Sequence, residues 1–236
     1  MTALIIDTET HKMHGNAIEI AWLPVRLQES GVAQIDLGRG DIVRLNPLEP
    51  IDVGAMAVHH IIDSDVADKP AHNTFKFPEF EASAVEYMIG HNINYDVDVV
   101  ARCGIDVAGI KQICTLALAR SCWPDFEKHN LTYLTYALAD HTSVARQDVK
   151  DAHCAWDDVL ITAKLLNHIV KLRGIKSMGE LYELSELARV PTHMPFGKHQ
   201  GKLFSDIPKD YIVWGLKNMT LDLYLHREFT KQVAGF

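Results

Sequence analysis

The chain has 236 residues, of which 47% are apolar and 23% charged, the profile of a globular protein with one full domain and a small appendage. A net charge of −8 excludes a protein that coats nucleic acid by bulk electrostatics, since that mode needs many Lys and Arg to replace counterions. It leaves room for a protein that handles one end of a strand through metal ions.

No apolar run reaches the roughly 18 residues of a membrane span, and no basic stretch followed by an apolar one opens the chain, so a protein without membrane contact or export signal is expected. The cysteines at 103, 114, 122 and 154 show no C-x-x-C spacing. They read as reduced thiols in a cytoplasmic protein, with no structural zinc.

In chain order, "ALII" is a short apolar run expected to form a strand buried on both faces. It leads into "DTET", where Asp7 and Glu9 fall on one side of the strand at its carboxyl end. Two carboxylates so close repel and call for a shared proton or a cation, although a solvated strand end would look the same. "AIEIAWLPVRL", "GVAQIDL" and "DIVRLNP" follow as strand-like runs and predict an antiparallel meander.

From about residue 79 the pattern changes. "PEFEASAVEYMIG" reads as helical, "HNINYDVDVVARCG" as a helix stopped by glycine, "ICTL" as a short strand, and "DAHCAWDDVLITAKLLNHIVKLRG" as a long amphipathic helix ending at glycine. Together these predict a mixed α/β sheet with helices packed on it. Ser177 and Glu180 form a capping-box pattern opening a connecting helix, with Leu181, Leu184 and Leu187 as its inward stripe.

"VPTHMPFG" interrupts the pattern and coincides with a change of charge: 17 Lys+Arg against 27 Asp+Glu in residues 1–190, but 6 against 4 afterwards. The expected division is a catalytic domain over 1–175, a connecting helix over 176–190 and a small α+β module over 191–236. In that module "FGKHQGKLFSDI" reads as a hairpin. Lys198 and Lys202, beside His199, could touch a phosphate backbone, or the turn could simply be solvated.

Asp96 opens one helix, and His153, Asp157 and Asp158 open another. Each has an ordinary explanation, as a first-turn charge favoured by the helix dipole or as a surface acid. Jointly, Asp7, Glu9, Asp96 and Asp158 can form an all-oxygen cluster suited to two Mg²⁺ or Mn²⁺ ions, the arrangement that supports phosphodiester hydrolysis.

"DTET", "HNINYD" and "HCAWDD", in this order, resemble the three motifs of the DnaQ-like exonucleases of the DEDDh type. "AMAVHHI", "VADKP", "ICTLALARSCWP", "ITAKLL" and "FGKHQGK" are similar to the bacterial exodeoxyribonuclease X branch of that family. The resemblance implies a ribonuclease H-like fold, with Asp7, Glu9, Asp96 and Asp158 as metal ligands. The third motif places its acid five residues after its histidine, which selects His153 and Asp158 over Asp157, with His153 as general base.

The resemblance further implies that Thr8, Met56, His59, His91, Asn92 and Tyr95 surround the terminal nucleotide; Met56 could equally be core. Cys114 stands where many relatives carry Asp, at a position with no catalytic role. The implied activity is 3′-to-5′ exonuclease action on DNA, releasing nucleoside 5′-monophosphates from single-stranded or frayed ends; the family also admits a homodimer. Trimming of RNA ends is the alternative with the same chemistry. A non-catalytic nucleic-acid-binding or polymerase-associated subunit is the alternative without it, and that subunit would have lost one of the five residues, all of which are present.

Overall fold

The computed structural model describes residues 2–28, 30–77, 85–149, 154–221 and 223–234. The chain divides into two compact units, residues 1–185 and 186–236.

The larger unit is built on a mixed sheet. Strand β1 (Thr2–Thr10) lies between β2 (Ala17–Leu27), to which it is antiparallel, and β5 (Val85–Gly90), to which it is parallel. Residues Ala3 to Ile6 are buried, as expected of an apolar run with sheet on both sides and helices above and below. The strand continues through Asp7 and Glu9 to Thr10, so both acids lie within it rather than beyond its end.

β2 carries the antiparallel part of the sheet on its outer edge. β4 (Asp41–Arg44) pairs with Glu19 to Trp22, and β3 (Ala33–Ile35) pairs with Val25 to Leu27. The order differs from a simple meander, since β4 returns to β2 instead of pairing with β3. Pro24, which has no N–H to donate, sits between the two pairings, where a break in the ladder is tolerated.

The helical expectation for "PEFEASAVEYMIG" is overturned where it is described, because Val85–Gly90 forms β5; residues 78–84 of that stretch lie outside the described residues. β5 pairs with β1 and with β6 (Lys111–Cys114). Buried on both faces, it shows no alternation, and an apolar run without alternation cannot be told from a helix by periodicity. The connection from β5 to β6 runs through α3 (Asn94–Arg102), which packs on β1.

After α1 (Val53–His59) and α2 (Asp63–Val66) on the β4 side, the remaining helices of this unit are α4 (Thr115–Cys122), α5 (Leu131–Leu138), α6 (Thr142–Asp148) and α7 (Ala155–Arg173). α7 packs across β1 and β2 and ends at Gly174, whose φ of 65° suits a left-handed cap. α8 (Met178–Arg189) begins as expected, with Ser177 Oγ accepting from Glu180 N at 3.2 Å. Its inward stripe differs: Leu181 and Ser185 are buried, while Leu187 is 73% exposed. A step of six residues turns a helix far off the face that a step of four preserves.

The smaller unit has its own core of Met194, Phe204, Ile207, Ile212, Leu225 and Phe229. It contains α9 (Lys209–Asn218) and α10 (Leu223–Ala234). The expected hairpin is reduced to a single antiparallel bridge between His193 and Leu203, closed by Met194 N donating to Lys202 O at 2.8 Å. Gly197 and Gly201, with φ of 76° and 78°, make the turn between them.

Ile89, fully buried at the centre of β5, tests this architecture. Ile89→Ala is expected to lower unfolding free energy by about 2–5 kcal/mol, read as a shift in the urea midpoint at unchanged slope.

Candidate active site

Alternation along β1 sends Asp7 and Glu9 to the same side, and α7 crosses the strand so that its first turn brings Asp158 to them. One carboxylate oxygen from each of Asp7, Glu9 and Asp158 lies within 4.8 Å of the others, and all three residues are half-buried. Asp96, from the first turn of α3, is buried beside this trio, and its Oδ1 accepts a hydrogen bond from Thr8 Oγ1 at 2.9 Å. Gly90 makes room for it: a Cβ there would stand 3.2 Å from Asp96 Oδ2, 3.1 Å from Ile6 O and 2.9 Å from Ile93 Cδ1.

The electrostatics are those of acids forced together. Burial, then Asp96, Asp158, Glu9 and Glu19, raise the Asp7 carboxyl well above its ordinary range. Burial, then Asp158, Glu19 and Asp96, push Glu9 up to about 8. Burial likewise raises Asp96 to about 7, against the lowering effect of the Thr8 hydrogen bonds. Such a set is stabilised by a cation, and an all-oxygen donor set fits hard divalent ions.

Around the trio, the expected substrate-binding residues take distinct positions. Thr8 is buried and its hydroxyl serves Asp96. Tyr95 reaches back to β1, its hydroxyl hydrogen-bonded with Thr10 Oγ1. Asn92 is exposed at the entrance to α3 in the left-handed conformation, φ 79°, that Asn tolerates.

His91 is turned into the fold. Its Nε2 donates to His129 O at 2.7 Å, its Nδ1 lies 3.1 Å from Thr115 Oγ1, and burial lowers it to about 4, leaving it neutral. His59 is buried and accepts from Ile61 N at 3.0 Å. Met56 packs against the core cluster of Ile18, Ile51, Ile61 and Val66. Lys198 and Lys202 are exposed on the turn of the smaller unit. His153 lies outside the described residues.

Two site residues were missed in the sequence. Thr10 anchors Tyr95, and Glu19, buried directly across from Glu9, adds its charge to the cluster. Glu19 did leave a signal: a lone acid in the apolar run "AIEIA" has to find partners when buried.

Carboxylates gathered on a central strand of a mixed sheet, with a helix completing the set, define a divalent-metal-dependent nuclease. The chain belongs to the RNase T exonuclease family, whose profile matches residues 4–166. It is a 3′-to-5′ exonuclease.

Exodeoxyribonuclease 10 of Escherichia coli strain K12 is 31% identical over 224 residues, covering 91% of this chain and 90% of that protein. The solved structure of Exonuclease X in complex with 5′ overhanging duplex DNA aligns with a TM-score of 0.59 and 27% identity, over 78% of this chain and 99% of the other. E. coli Exonuclease I in complex with a dA16 oligonucleotide shares the fold, with a TM-score of 0.55 and 17% identity over 81% of this chain and 46% of the other. Residues 182–218 match a second family, described only provisionally as a quorum-sensing-regulated virulence factor. Among the described residues, no helix is long and apolar enough to cross a membrane.

The raised carboxyl groups give the metal-free fold a definite pH dependence. Glu9 holds its proton up to about 8 when folded, against 4.5 ordinarily. Between those values the unfolded chain binds fewer protons than the folded one, so stability present at low pH is lost as pH rises. The Tm of chelator-treated protein is expected to fall between about pH 5 and pH 8, with Mn²⁺ restoring more of it at the upper end, because cation binding displaces those protons. A Tm that stays level across that range, measured by calorimetry, would remove this account of the site.

Proposed function

We propose that the enzyme degrades DNA from the 3′ end, on single strands or frayed duplex ends, with Asp7, Glu9, Asp96 and Asp158 as ligands for two Mg²⁺ or Mn²⁺ ions and His153 as general base. The observation that carries this reading is the trio of carboxylates within 4.8 Å, at a place where burial raises the Asp7 and Glu9 carboxyls. DNA as substrate is supported by the names of the relatives. When bound, the ions supply charge for the attacking and leaving oxygens of an in-line displacement.

The chain's own residues then have separate tasks. Thr8 holds the Asp96 carboxyl in place, and the contact between Tyr95 and Thr10 ties α3 to β1. His153 takes the proton of the attacking water, a role suited to imidazole near neutral pH. Asn92 and Met56 offer accessible surface to the terminal nucleotide, while His59 and His91 are committed to internal hydrogen bonds.

The test is digestion of matched 3′-labelled and 5′-labelled single-stranded DNA and RNA with Mg²⁺ or Mn²⁺, using wild type, Asp7→Ala and His153→Ala. Release of mononucleotides from the 3′ end of DNA, reduced in both variants by at least about 10³-fold, is expected. Activity surviving in Asp7→Ala sinks the reading, and faster digestion of RNA moves the substrate to that sugar.

The smaller unit is assigned a second contact with the strand through Lys198 and Lys202. Both are exposed, and the same unit exposes Phe196 by 43% and Trp214 by 50%. Lysines beside exposed rings suit single strands, whose bases stack at about 1–3 kcal/mol each. Lys198→Ala with Lys202→Ala is expected to weaken binding to oligonucleotides that extend beyond the catalytic pocket and to lower the salt slope by about 1 to 2, leaving turnover at saturation intact. An unchanged salt slope in fluorescence anisotropy would assign the turn to solvent.

A further inference from the structure

Glu19 is 2% exposed on β2 and lies directly opposite Glu9. A buried carboxylate is costly unless its oxygens are satisfied, and both of these are. Oε2 accepts from Arg44 Nε at 3.1 Å, the two residues being cross-strand neighbours on β2 and β4. Oε1 accepts from the backbone N–H of Ala155, the first residue of α7, at 3.2 Å.

That second bond does what an N-cap residue ordinarily does. The first turn of a helix has N–H groups without helical acceptors, and Cys154, at the cap position of α7, supplies no side-chain bond. Glu19 supplies it from 136 residues away in sequence, and its negative charge meets the positive end of the helix dipole. Trp156 braces the same turn against Gly40, where a Cβ would come within 2.9 Å of the indole.

Asp158 follows this joint by three residues, and His153 precedes it by two. We propose that Glu19 is a positioning residue: by tethering the start of α7 to β2, it sets Asp158 against Asp7 and Glu9. Arg44 occupies the second oxygen, which keeps Glu19 as an acceptor for the helix instead of a further ligand. The inference rests on the ligand roles proposed above for Asp7, Glu9 and Asp158.

Two readouts test it, one of them without metal or turnover. In metal-free protein the Ala155 amide is expected to exchange slowly; Glu19→Ala is expected to accelerate it, while Glu19→Gln, whose amide oxygen can still accept from Ala155 N, keeps it slow. In steady-state digestion Glu19→Ala is expected to lower kcat by about 10- to 100-fold with KM within about threefold, and Glu19→Gln to recover most of that loss. Val25→Ala, a buried position elsewhere on β2, controls for lost stability and is expected to keep kcat.

The proposal is overturned if Glu19→Ala keeps slow exchange or full kcat, or if the Gln and Ala variants lose equally. A wild type inert on every substrate would instead sink the exonuclease reading, while exchange at Ala155 would still decide whether the tether exists.

Discussion

Mutual repulsion among buried acids is the constraint that organises this molecule. Asp96, Asp158, Glu9 and Glu19 stand close enough to Asp7 to raise its carboxyl, and nothing about a polypeptide favours such a gathering by itself. It persists because each acid sits on an element fixed by apolar burial. Asp7 and Glu9 extend a strand whose Ala3 to Ile6 segment is core, and Asp158 rides on a helix that buries Val159, Ile161, Leu165 and Ile169. The hydrophobic scaffold holds the charges in place, and the charges create the demand for cations.

The sheet order explains how sequence-distant residues meet. With β1 between an antiparallel neighbour and a parallel one, its far end is reached from both sides: from β2 by Glu19 and from the first turn of α3, which follows β5, by Asp96. Gly90 is where the second approach becomes possible, since any side chain there would occupy space used by Ile93, the Ile6 carbonyl and the Asp96 carboxylate. The small residue at the strand end is therefore a requirement of the site as much as of the backbone.

Much of this was legible in the chain. Period-two spacing places Asp7 and Glu9 on one side, the glycine stops bound α3 and α7, and four acids with one imidazole point to oxygen-ligand metal chemistry. What was not legible has physical causes. β5 reads as helix because a doubly buried strand has no alternation, and Leu187 reads as core because leucine identity does not report the turn angle. The inward commitments of Thr8 and His91 depend on partners 88 and 38 residues away, and the spacing of neighbouring residues carries no record of such partners.

α8 holds a further consequence. The division between the two units falls between Ser185 and Glu186, inside a continuous helix. Ser185 Oγ receives the Cys114 N–H at the end of β6 at 2.8 Å, while Glu186 accepts from the Tyr224 hydroxyl in the smaller unit. Consecutive residues of one helix thus serve two different cores. A modular exchange that cut at the loop before this helix would leave β6 with an orphaned donor and the buried Leu181 site empty. Whatever other small unit were grafted in its place, the first two turns of α8 would have to remain with the nuclease.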